Sequence, residues 1–148
     1  MNLNTNSKKI FHIKELRDGL TYKELVINYP WILTASIENA ILGKCHTFKS
    51  ICWYDGIWHN GTWEDGTWED GTWENGTWVN GWWKNGTWEK GIWKWGIWKN
   101  GIWKNGTWER GIWYNGIWEN GIWKEGSWVN GTWKNGTEII KYQKIMII

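Results

Sequence analysis

The chain has 148 residues, enough for one domain of ordinary size, and carries 20 Trp and 19 Gly but a single Pro. No average globular domain has that composition, so a repeated structural demand must set it. Seventeen basic and 15 acidic side chains leave a net charge of +2, which argues against a DNA-coating protein and equally against a polyanionic nucleic-acid mimic.

Residues 1–29 read as an N-terminal cap. Within them Lys9-Ile10-Phe11-His12-Ile13 predicts a strand, and Thr21-Tyr22-Lys23-Glu24-Leu25-Val26-Ile27 a strand or short helix. No apolar run of signal-peptide length follows the N-terminus, and no run of about 18 apolar residues is present to span a membrane. The expectation is a cytoplasmic or virion-associated protein in which Cys45 and Cys52 are free thiols.

Residues 30–137 read as one repeat array. Pro30-Trp31-Ile32-Leu33-Thr34 is a degenerate unit, and Ala35-Ser36-Ile37-Glu38-Asn39 and Ala40-Ile41-Leu42-Gly43-Lys44 share the form Ala-x-(Ile/Leu)-x-x. One residue is inserted near Cys45, and Phe48 and Trp53 resume the count. From Trp53 to Trp133 a Trp then recurs every five residues, 17 times without a slip, and Gly keeps the same period from Gly56 to Gly136. The unit is Gly, Thr or Ile, Trp, a variable residue, and usually Asn or Asp.

Five is neither the helix nor the strand period. A helix would carry 17 interior Gly, each costing roughly 1 kcal/mol against Ala. A meander of hairpins joined by Asn-Gly turns fails on hydrogen-bond parity. In a three-residue strand such as Thr72-Trp73-Glu74, Thr72 would have to bond to the strand before and Glu74 to the strand after. Residues two apart point their polar groups to the same side. A coil resolves the conflict: each unit makes one side, coils stack in parallel about 4.8 Å apart, and Asn, Asp and Gly are expected at corners with positive φ.

This frame resembles the pentapeptide-repeat family, with Trp in place of the central Leu/Phe and Gly in place of the small residue. The resemblance implies an all-β fold, a right-handed parallel β-solenoid of four-sided, 20-residue coils, here with a Trp core and short caps. Charges in the slot after Trp test the coil length. A 20-residue coil stacks three opposite and four like pairs, whereas a 15-residue coil stacks six opposite pairs, Glu69–Lys84 and Glu89–Lys104 among them, and two like pairs. Four sides are retained, because a triangle offers Trp less room. At the far end the frame stops at Glu138, and residues 138–148 read as a C-terminal cap or a dimerisation strand that could join two copies.

No Ser/His/Asp arrangement or nucleotide-binding Gly loop is present, so the chain reads as a non-enzyme without cofactors. Cys45, His46, Cys52 and His59 are the one set with zinc-type ligands, at a spacing that matches no common site. Glu64, Asp65, Glu69, Asp70 and Glu74 read as an acidic stripe, and Lys94 and Lys99 belong to the basic stretch that follows. Trp82 and Trp95 lie off the main phase, where they should be exposed and mark a contact site. The leading functional expectation is a non-catalytic scaffold that binds another protein through its outer faces. Carbohydrate or nucleic-acid binding would need the periodic Trp to form an exposed ladder, which makes nucleic acid an improbable partner for a chain with a Trp core. A phage-particle component, and the DNA-mimic, gyrase-engaging role that the resemblance implies for some members, complete the alternatives.

Overall fold

A computed structural model describes residues 9–46 and 50–139. Its elements are β1 (Phe11–Arg17), α1 (Tyr22–Asn28), α2 (Pro30–Leu33), β2 (Ser36–Lys44) and β3 (Ile51–Asn60), followed by sixteen two-residue strands from Thr62–Trp63 to Thr137–Glu138. The array is a parallel β-solenoid of about six turns. The expected C-terminal cap lies outside the described residues beyond Ile139.

Each turn holds 15 residues, not 20. Trp93 pairs in parallel with Trp78 above and Trp108 below, and the same step links Trp88, Trp103 and Trp118. The coil is therefore three-sided, which corrects the four-sided expectation. The physical reason lies in the indoles. Neighbours in one coil meet edge to face, as Trp93 and Trp98 do at 5.9 Å between centroids and 71° between planes. Trp98 and Trp103, and Trp103 and Trp108, repeat that geometry. Three rings, each presenting its edge to the next, close the cross-section without a fourth wall. Between coils the rings stack in parallel, Trp88 on Trp103 at 4.7 Å and 6°. Fourteen of the periodic Trp, Trp53 to Trp118, have no exposed surface.

Backbone groups bond along the stack. The N–H after each Trp donates to the Trp carbonyl of the coil above (Glu89 to Trp73, 2.7 Å), and the N–H before each Trp donates to a Gly carbonyl (Ile92 to Gly76, 2.9 Å). Six indole N–H groups, those of Trp73, Trp88, Trp93, Trp98, Trp103 and Trp108, donate to the carbonyl of the corner residue 17 positions on, at 3.0–3.2 Å. Eight other buried indole N–H groups have no partner among the described residues.

The corners are built differently from the expectation. Only the Gly takes positive φ, +120° at Gly71, and the preceding Asp or Asn does not. Its role is to accept the Gly N–H through Oδ1, as Asp70 does at 2.8 Å and Asn105 at 2.9 Å. Gly is demanded twice over, since a Cβ on Gly71 would also stand 2.6 Å from the Gly56 carbonyl oxygen.

The Ala-x-(Ile/Leu)-x-x units are not coil sides. They lie on β2, which runs antiparallel to β3 and parallel to β1. Ile37, Ala40 and Leu42 are buried all the same, so the apolar pattern reports a core without reporting its geometry. The Thr21 segment is a helix, fixed by a capping box in which Thr21 and Glu24 exchange side-chain to backbone bonds. Trp31 of α2 sets its ring edge-on to Trp63 at 5.0 Å and closes the upper end of the Trp core. Cys45 and Cys52 form a disulfide, with Cα atoms 5.2 Å apart. The expectation of free thiols fails because the β2–β3 hairpin brings Gly43 opposite Cys52 and Lys44 opposite Ile51.

Two outcomes test this architecture. Trp103→Ala should cost about 3–5 kcal/mol in denaturant unfolding, and Trp133→Ala, which is partly exposed at the last coil, clearly less. Gly71→Ala should cost more than about 3 kcal/mol through strain and a backbone clash. Gly19→Ala, with φ +76° and nothing within 4 Å, should cost about 1 kcal/mol. Equal costs within either pair would contradict the packing described.

Candidate binding surface

A 15-residue coil sorts the outward side chains into three sides. Side one carries Tyr54, Glu69, Lys84, Lys99, Tyr114 and Val129 after its Trp residues; side two carries His59, Glu74, Glu89, Lys104, Glu119 and Lys134; side three carries Glu64, Val79, Lys94, Glu109 and Lys124. The acidic stripe expected from the sequence is thereby dispersed. Glu64, Glu69 and Glu74 face three different ways, while Asp65 and Asp70 cap Gly66 and Gly71 at corners. Charges separated by 15 residues do meet: Lys84 reaches Glu69 at 3.1 Å, Lys104 reaches Glu89 at 3.0 Å, and Arg110 reaches Glu125 at 3.1 Å. These pairs are solvent-exposed and contribute little each.

The off-phase aromatics gather instead of dispersing. Tyr54, Trp82 and Tyr114 all stand on side one, and Trp95 stands at the corner leading into it. Trp82, Trp95 and Tyr114 are 36%, 49% and 40% exposed. The Lys99 ammonium lies 5.0 Å from the Trp82 ring and 5.4 Å from the Tyr114 ring, and the Arg110 guanidinium lies 5.9 Å from Trp95. The expected contact residues Trp82, Trp95 and Lys99 thus form one surface. Lys94 flanks Trp95 from side three.

Between the corner column and side one runs a furrow of about 310 Å³. Its floor is the stacked backbone of Gly66, Gly81 and Gly96, because a column without side chains leaves a trough. Asp65, Asn80 and Trp95 line one bank, and Thr67, Trp82 and Ile97 the other. Sequence spacing marked both Trp residues as exposed; that residues 13 apart share one trough follows only from the 15-residue turn.

The zinc-type set is not assembled. Its two cysteines are consumed by the disulfide, His46 lies 3.7 Å from Asp18, and His59 sits between two carboxylates. His59 follows the inward Trp58 in the outward slot. It is half-buried, with Nδ1 2.6 Å from Glu74 and Nε2 2.9 Å from Glu38, and so ties β2 of the cap to the first full coil. Both ring nitrogens face carboxylates, so the imidazolium can donate to both, whereas the neutral ring can donate to only one. Burial pulls the His59 pKa down, but the hydrogen bonds to Glu74 and Glu38 together raise it above the ordinary value. Nearby, Tyr54 donates to Asp18 at 2.5 Å, and that hydrogen bond, with burial, pushes the phenol up to about 12.

Among the described residues no helix is long and apolar enough to cross a membrane. No protein-family model matches the chain, and neither curated proteins nor solved structures show a match.

The His59 clamp predicts a pH dependence of definite sign. Its folded pKa is raised, so its stabilisation is full below the unperturbed value of about 6.5 and is lost as pH rises through the raised value. As pH rises above about 6.5, the wild type should therefore lose stability relative to His59→Gln. Parallel pH curves for the two proteins would remove the clamp.

Proposed function

We propose that this chain is a non-catalytic scaffold of the pentapeptide-repeat kind, three-sided in place of four-sided, that binds another protein through side one. The observation that carries the reading is the convergence of all the outward aromatics of the array on one side and its leading corner. The coil core does not need them, since Thr or Ile serves before most inward Trp residues, and small or polar side chains before Gly. Exposed Trp and Tyr interleaved with cations is the composition of contact surfaces with concentrated binding energy. A solenoid presents such a surface rigidly because every coil is fixed by its neighbours.

The ladder form of carbohydrate or nucleic-acid binding loses its premise, because the periodic Trp fill the core. The acidic residues fall on three sides and make no continuous acidic face, so the gyrase-engaging reading is not carried further.

The test is a photo-crosslinking residue placed at Tyr114 on side one or at Glu119 on side two, in extracts of the organism that makes the protein. The expected outcome is a discrete protein adduct from position 114, absent from position 119, and suppressed by Lys99→Glu. Equal labelling from both sides, or an adduct insensitive to Lys99→Glu, would overturn the assignment of side one.

A further inference from the structure

We propose that the furrow between Trp82 and Trp95, within the surface assigned above to partner binding, is a subsite for a neutral pyranose ring of a saccharide, adjoining the protein contact along Lys99 and Tyr114. The two indoles stand on opposite banks over a floor of glycine backbone. A pyranose is amphipathic in the matching sense: its faces carry C–H groups that pack on indole rings, and its rim carries hydroxyls. Asp65, Asn80 and Thr67 line the same furrow and supply a carboxylate, an amide and a hydroxyl for that rim. Asp65 uses Oδ1 for the Gly66 N–H at 2.8 Å, which leaves Oδ2 to accept from a sugar hydroxyl.

Charge narrows the ligand class. Lys99 and Arg110 touch Trp82 and Trp95, yet neither lines the furrow. A cationic ligand would meet those two positive charges, and an anionic one would meet Asp65. A purely apolar ligand would strip water from Asp65 and Asn80 without replacing their hydrogen bonds, which is costly. A neutral polyhydroxyl ring avoids all three penalties. The furrow volume of about 310 Å³ is at the lower end of small-molecule sites, suited to one or two rings rather than a large ligand.

The variants for the test are Trp82→Thr and Trp95→Asn, which restore the residues that the repeat itself uses there and so keep the coil. Intact folding is checked by circular dichroism and by the emission of the buried indoles. The probes are methyl glycosides and short oligosaccharides of glucose, galactose and mannose, with sialylated and sulfated glycans as comparators. Binding is read on a glycan array and by the indole ¹⁵N–H signals in solution. The expected result is a neutral glycan that shifts the Trp82 and Trp95 indole signals and binds roughly tenfold more weakly to each single variant. The proposal is overturned if no neutral probe shifts either signal, if the folded double variant binds as well as the wild type, or if only acidic glycans bind.

Discussion

Everything in this molecule depends on the match between two spacings. Parallel strands sit about 4.8 Å apart, and the stacked indoles repeat at 4.7–4.9 Å through the middle of the array. Carbon surfaces touch at about 3.5 Å, so parallel rings at the strand spacing must slide over one another by roughly 3.3 Å, with their normals inclined about 40° to the stacking direction. That offset stack is the arrangement the indole quadrupole prefers. The backbone ladder and the aromatic ladder therefore reinforce each other at every coil. Both have the same period, so neither strains the other, and the array carries no insertion between Trp53 and Trp133.

The glycine follows from the same constraint. To bring three indoles edge to face in 15 residues, the chain must turn sharply after each five-residue side. Gly71 turns at φ +120°, where its missing Cβ also lets the Gly56 carbonyl approach. An Asp such as Asp70 satisfies the following Gly N–H locally, and the backbone carbonyl of the residue before Gly, whatever its side chain, receives an indole N–H at Lys90, Asn105, Arg110, Asn115, Asn120 and Glu125. Three of the five positions are thus committed to the core and corner. The other two face outward, and their identity costs the fold little.

Much of this was legible in the period alone. A five-residue repeat with one large apolar residue excludes helix and meander, and it places Trp53 to Trp123 inside, with Trp128 and Trp133 left partly uncovered at the last coil. The number of sides was not legible, because 15 and 20 are both multiples of five and keep every Trp in phase. The charges at Glu69, Lys84, Glu89 and Lys104 carried the missing information, and two of the pairs they imply form ion pairs. The cap misled for a different reason. Ala35–Lys44 has the right alternation to bury Ile37 and Leu42, but alternation is also what an ordinary antiparallel strand shows. The disulfide and the His59 clamp depend on that hairpin, so neither could precede it. The site was half legible: Trp82 and Trp95 were marked as exposed, and their shared furrow required the turn length.

The solenoid also converts sequence neighbours into spatial strangers. Glu64, Glu69 and Glu74 are adjacent units, yet they face three directions, whereas Lys84 and Lys99 share a side across a full turn. A functional surface here must be written at intervals of 15, or at a corner and the side that follows it. Lys99 and Tyr114 obey the first rule, with Trp82 beside them on the same side, and Trp95 with Ile97 obeys the second. The glycine column links this surface to the core. The absence of side chains that lets coils approach also cuts a furrow along each corner, and whatever stands on its banks becomes the wall of a groove. Placing Trp on both banks, in successive coils, changes what that groove can hold while leaving the stacked indoles, the strand ladder and the turn untouched.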